Sequence, residues 1–165
     1  MRNLIVMSII ILTFSTTASF AEETCEAMFV QDAKSMTFDG SNLKLKDANP
    51  DMIYFCDRPV REAGHLSQET FLKWGSEGED SFAKNHPNAA VSIFGSGDEV
   101  VSVVVELSGR PVISGNDITY PVKELDGKLP NTGGKVIIFI DPLGRPLSPN
   151  SVAGVHRRHE RRARR

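Results

Sequence analysis

The chain has 165 residues, of which 40% are hydrophobic and 24% charged, and a formal net charge of −2 at pH 7. That length leaves room for one domain with a real core and is short for two. The near-neutral total hides a division: residues 155–165 hold six arginines and one glutamate, whereas residues 22–154 carry twenty acidic against twelve basic side chains.

At the N-terminus one positive charge, Arg2, precedes an apolar run over residues 4–14 (LIVMSIIILTF) that only Ser8 and Thr13 interrupt. Small residues follow, and Ser19-Phe20-Ala21 fits the A-x-A-like pattern of a cleavage site. The run is too short to span a bilayer, so residues 1–21 read as a secretory signal peptide. The mature product is then expected to begin at Glu22 and to be soluble, either secreted or periplasmic. The alternative, an uncleaved anchor, lacks a stop-transfer flank. Cys25 does not suit lipidation, because Glu23-Thr24 stand where small apolar residues are needed. After residue 21 no stretch is apolar for long enough to be a transmembrane segment, and no internal repeat is visible.

Cys25 and Cys56 are the two cysteines of the chain. In an oxidising compartment a pair is most simply a disulfide, contributing about 3 kcal/mol by restricting the unfolded chain. Two buried free thiols are the other option. A metal site would need a C-x-x-C pair or a nearby histidine, and neither accompanies these cysteines.

Alternation with period 2 dominates the first third. Residues 27–31 and 35–38 read as strands, Asp39-Gly40 as a turn, and residues 43–46 as a further strand. Asn49-Pro50 breaks the pattern before a short buried strand at residues 52–56, which ends at Asp57-Arg58-Pro59. A short helix is predicted next, with Ser67 as N-cap, Glu69 in the first turn and Gly75 as the stop. Residues 77–88 read as a loop or a second helical turn, ended by His86-Pro87. Strands then return at residues 89–94, 99–107, 117–125 and 136–140. Val101, Val103, Val105 and Leu107 line one face of the longest, with Val100 and Val104 on the other, so a central, doubly covered strand is expected. Val101, Val103, Val105, Ile118, Val122, Val136 and Ile138 are the expected core. Seven or eight short strands with Gly/Pro/Asn/Asp turns predict a mainly β fold, an antiparallel β-sandwich or partly closed barrel with one short helical insertion. The expected layout is a single β-rich domain over residues 22–154 followed by a basic C-terminal tail over residues 155–165.

Three blocks, YFCDRPVREAGH from Tyr54, FLKWGSEGEDSFAKNHPNAAVS from Phe71 and IFIDPLGRPLSPNSVAGVHRRHERRARR from Ile138, cover much of the expected mature chain. Their DRPxRxAGH-like, HPNA-like and SVAGVxRR-like motifs resemble a family of small exported bacterial proteins with no assigned activity. The resemblance implies export, one domain and a basic C-terminus; it implies no reaction.

The densest polar group is Asp57, Arg58, Arg61, Glu62 and His65, within nine residues. A second polar segment, from Asp80-Ser81 to Asn85-His86-Pro87-Asn88, meets it if the helix between packs both against one sheet edge. Arg58 and Arg61 suit bidentate capture of a carboxylate or phosphate, with His65 or His86 as proton donor. The competing structural reading has Asp57 paired with an arginine and His65 satisfying a backbone carbonyl. The ligand-binding candidates are thus Asp57, Arg58, Arg61, His65 and His86, and no catalytic residue is assigned. The chain has no G-x-S-x-G elbow, Walker loop or H-E-x-x-H, so neither an enzyme class nor a cofactor is indicated. The arginines beside His65, His86, Asp57 and Asp80 repel a cation, so no metal site is expected. Trp74 suits either a sugar-stacking platform or the apolar end of a helix packed on the sheet.

In the tail, His156 and His159 stand three residues apart, but among arginines they are better read as pH-sensitive charge than as metal ligands. Apolar residues there are too few for an independent fold or an amphipathic insertion. Arg157, Arg158, Arg161, Arg162, Arg164 and Arg165 are the candidates for contact with an anionic membrane surface or envelope polymer; no specific nucleic-acid partner is indicated. The tail's own acidic body is the competing partner.

Overall fold

The computed structural model describes residues 25–56, 60–76, 81–82, 84–95 and 99–143. In chain order these form β1 (Ala27–Phe38), β2 (Asn42–Ala48), β3 (Asp51–Cys56), β4 (Glu62–Ser67), α1 (Gln68–Trp74), β5 (Asn88–Phe94), β6 (Val100–Leu107), β7 (Val112–Ser114), β8 (Asp117–Asp126), β9 (Thr132–Gly133) and β10 (Val136–Ile140). All strand pairs are antiparallel, in the order β10-β5-β6-β8-β2-β1-β3-β4, and β1 also pairs with β10. That last pairing closes six strands into a ring, with the β3–β4 hairpin outside it. The mainly β, partly closed barrel expected from the alternation is what forms.

β1 holds the ring together because it is long enough for four partners. Its first half pairs with β10 on one edge and β3 on the other; its second half pairs with β2 and β9. Phe29, Gln31 and Ala33 are buried in step, and the next buried position is Met36. The period therefore slips by one at Lys34-Ser35, where the strand turns the corner of the barrel. Opposite Lys34, Asp47 has φ +50°, an uncommon conformation for a residue other than glycine. Its backbone N–H donates to Asp117 Oδ1 at 3.0 Å and its carboxylate pairs with Lys34. The Asp39-Gly40 turn forms as expected: Gly40 takes φ +100°, and Asp39 Oδ1 accepts from the N–H groups of Ser41 and Asn42 at 2.9 and 2.7 Å.

The helix starts and stops where its caps predict. Ser67 Oγ accepts from Thr70 N–H at 3.2 Å, and Gly75 closes it. Gly75 is not in a left-handed conformation; it serves because a Cβ there would stand 1.9 Å from the Phe82 ring. Phe71 and Phe82 are buried beneath, their rings 5.4 Å apart, and Phe71 meets Phe29 of β1 edge-on at 5.0 Å. Inside the ring, Met36, Leu43, Leu45, Val103, Val105, Leu107, Ile118, Val136, Ile138 and Ile140 form one core.

Four expectations change. Ten strands form among the described residues, because β7 and β9 are too short for periodicity to reveal and residues 62–67 are a strand rather than a loop. Residues 27–31 and 35–38 are parts of a single strand. Val101 is 39% exposed and not core: β8 reaches β6 only from Val104 onward, so Val101 lies beyond the closed part of the ring. Val104 faces outward and is 1% exposed, but Val100 on the same face is 47% exposed, so β6 is covered on both faces only in its second half and not along its whole length as expected.

Cys25 and Cys56 are disulfide-bonded, tying the start of β1 to the end of β3 where Ala27 lies opposite Cys56. Among the described residues no helix is long and apolar enough to cross a membrane.

Candidate functional site

Of the residues singled out for ligand binding, Asp57 and Arg58 lie outside the described residues, as do Arg157, Arg158, Arg161, Arg162, Arg164 and Arg165. Arg61 directly precedes β4 and is exposed. His65 is within β4, opposite Ile53, on the face away from the buried Leu66, and is exposed to solvent. His86 precedes β5 and places Nδ1 3.6 Å from Glu106 Oε1 on β6. Strands β3, β1 and β10 lie between β4 and β5 in the sheet, so the two histidines do not share a strand edge. The segment around His86 is sewn into the barrel instead. Pro87 O accepts from Leu107 N–H and Asn88 O from Asp141 N–H, both at 2.9 Å. Among the described residues no three His, Cys, Asp or Glu side chains stand together as a metal site would require.

The structure assembles a group that the polar spacing did not reveal. Because residues 62–67 are a strand, Tyr54 lies opposite Gly64, and its ring covers that glycine; a Cβ on Gly64 would come within 2.8 Å of the ring. Tyr54 Oη donates to Glu62 Oε1 at 2.5 Å, two residues along the same face of β4. That hydrogen bond, with burial and the nearby carboxylate, raises the Tyr54 pKa above its ordinary value. Trp74, at the end of α1, is 49% exposed. Its ring centroid stands 6.5 Å from that of Tyr54 at 76°, and 6.4 Å from that of Phe29. Phe29 packs against it, and the buried Phe71 and the tight Gly75–Phe82 contact fix the helix that carries it. Trp74 is thus both the apolar end of a packed helix and an exposed aromatic surface beside Tyr54, whose hydroxyl in turn binds a carboxylate. The only sequence signal was a tryptophan followed by glycine; the pairing with Tyr54 needed β4.

At the other end of β10 is an open cavity of about 450 Å³, lined mainly by Ile93, Phe94, Glu99, Val101, Pro130 and Gly133. Gly133 is required there, since a Cβ would stand 2.6 Å from Ile93. Lys135 Nζ lies 5.9 Å from the Phe94 ring centre. None of the sequence-selected residues lines this cavity.

The depressed carboxylates lie elsewhere and serve the scaffold. Hydrogen bonds from Asn42 and the turn N–H groups lower Asp39; Lys34 lowers Asp47; Lys44 lowers Asp117; and the Leu129 N–H, then Lys128, lower Glu124. Inside the ring, Tyr120 Oη donates to Gln31 Oε1 at 2.6 Å, and burial pushes the phenol pKa strongly upward. No family model, curated protein or solved structure matches the chain.

Proposed function

We propose that this is an exported, non-enzymatic binding module of the cell envelope, whose arginine-rich C-terminal segment contacts an anionic surface. The observation that carries it is the charge division: six arginines in the last nine residues follow a body with twenty acidic against twelve basic side chains. Each arginine near an anionic surface contributes about 1 kcal/mol, so six suffice for firm attachment at low salt. Repulsion of the acidic body and screening at physiological ionic strength oppose it. The Cys25–Cys56 bridge fits an oxidising compartment, and the N-terminal apolar run supplies the route there. His65 on β4 and His86 ahead of β5 belong to segments that are not neighbours in the sheet, which favours a binding role over one in which the two histidines act together.

Co-sedimentation with phosphatidylglycerol vesicles and with neutral vesicles tests the proposal. The full mature chain is expected to pellet with anionic vesicles at low salt and to be released as salt rises. Removing residues 155–165 should abolish pelleting while the circular dichroism spectrum stays the same. Equal binding with and without the tail would eliminate the tether. A salt-dependent change in melting temperature on tail removal, with weak vesicle binding throughout, would assign the arginines to the protein's own acidic body instead.

A further inference from the structure

We propose that Tyr54, Trp74 and Glu62 form a binding site for a quaternary ammonium group. An alkylated ammonium is held by aromatic faces, which attract the positive charge without requiring hydrogen bonds that the methylated nitrogen cannot make. Tyr54 and Trp74 meet at 76° with centroids 6.5 Å apart. The contact is edge to face, so a cation lies over the exposed part of the Trp74 indole with Tyr54 at its border, within the ~6 Å limit for such contacts.

Three further features suit this ligand. Glu62 supplies a formal negative charge at the edge of the pair, and its hydrogen bond from Tyr54 Oη joins it to the ring. Among the described residues only Tyr54 donates to that carboxylate, so its second oxygen can face a cation. Gly64 leaves space under Tyr54 that any side chain would take, and so sets the depth at which the ring lies. Trp74 is about half exposed even though it packs against Phe29 and Tyr54, so part of the indole is available. The acidic excess of the body favours a cation near the site and disfavours an anion. A trimethylammonium group reaches such a site either as a free solute or as the headgroup of a choline lipid.

Trp74 is the single tryptophan of the chain, so its fluorescence reports the site directly. Choline chloride titrated into the full mature protein should give a saturable change in emission with millimolar affinity. Its uncharged isostere 3,3-dimethyl-1-butanol should bind roughly 2- to 30-fold more weakly, the span expected of a cation–aromatic contact. Glu62→Gln, an exposed substitution, should weaken choline binding about 5-fold at unchanged melting temperature. Broadening of the choline methyl proton resonance by the protein gives a readout without tryptophan, and Trp74→Ala should remove it.

Phosphatidylcholine vesicles identify the source: a matching emission change points to the lipid headgroup, and a response to free choline alone points to a solute. These vesicles carry no net charge, so the outcome is independent of the arginine tether. No saturation by on the order of 100 mM choline would overturn the proposal. So would equal affinity for the neutral isostere, an unaltered Glu62→Gln variant, or a neutral hexose that binds more tightly than choline.

Discussion

At the scale of single residues, one polar pair inside the barrel sets a testable cost. Gln31 is 1% exposed and Tyr120 fully buried, and the phenol gives its proton to the amide oxygen. Gln31 Nε2 has no partner among the described residues. The pair is half satisfied, which makes it more costly to break than to delete. Tyr120→Phe leaves both ends of the buried amide without partners and should destabilise by about 1–3 kcal/mol in urea unfolding. Adding Gln31→Leu should recover most of that loss, because no polar group is then stranded. A double variant no more stable than Tyr120→Phe alone would show that the interior needs the amide for its shape.

At the scale of elements, the corner where β1, β2 and β8 meet depends on carboxylates. Asp47 adopts its left-handed backbone with Lys34 on its side chain and Asp117 on its N–H, while Asp117 also pairs with Lys44 at 2.8 Å. Both carboxyls have pKa values below the ordinary one. A carboxyl depressed by folding adds stability above its unfolded pKa and loses it as pH falls through the folded value. The melting temperature should therefore drop as pH is taken from 5 towards 2, beginning near pH 4. The double variant Asp47→Asn/Asp117→Asn should melt lower than the wild type at pH 7 and show a flatter acid limb. An acid limb as steep as the wild type's would place the titrating groups elsewhere, with Asp39 and Glu124 the next candidates.

At the scale of the molecule, ring closure decides which positions on one strand tolerate charge. Val101 and Val103 have the same side-chain type and the same parity on β6, yet Val103 is 1% exposed inside the closed ring and Val101 lies past its edge. Val103→Asp buries an unpaired carboxylate at a cost of several kcal/mol and should prevent folding. Val101→Asp should give a soluble protein with a cooperative transition. Cooperative unfolding of both would mean the ring does not close at that level.

Much of this was legible in the order of residues. Alternation marked most of the strands, Ser67 and Gly75 marked the ends of α1, and Asp39-Gly40 marked a turn, because each signal acts through its immediate neighbours; the bridge was legible for another reason, that the chain has two cysteines and so one possible pair. The charge division and the leader-like run are also properties of composition and order, which no fold alters. The rest required the chain to close on itself. β4 was invisible because Glu62-Ala63-Gly64-His65 lacks apolar alternation; it is a strand because β3 offers its edge and Tyr54 covers the glycine. The slip at Lys34-Ser35, the exposure of Val101, the interior pairing of Gln31 with Tyr120 across 89 residues, and the meeting of Tyr54 with Trp74 all depend on which segments come together. Local propensity carries no information about partners distant in the chain, and those contacts are determined only when the six-stranded ring forms.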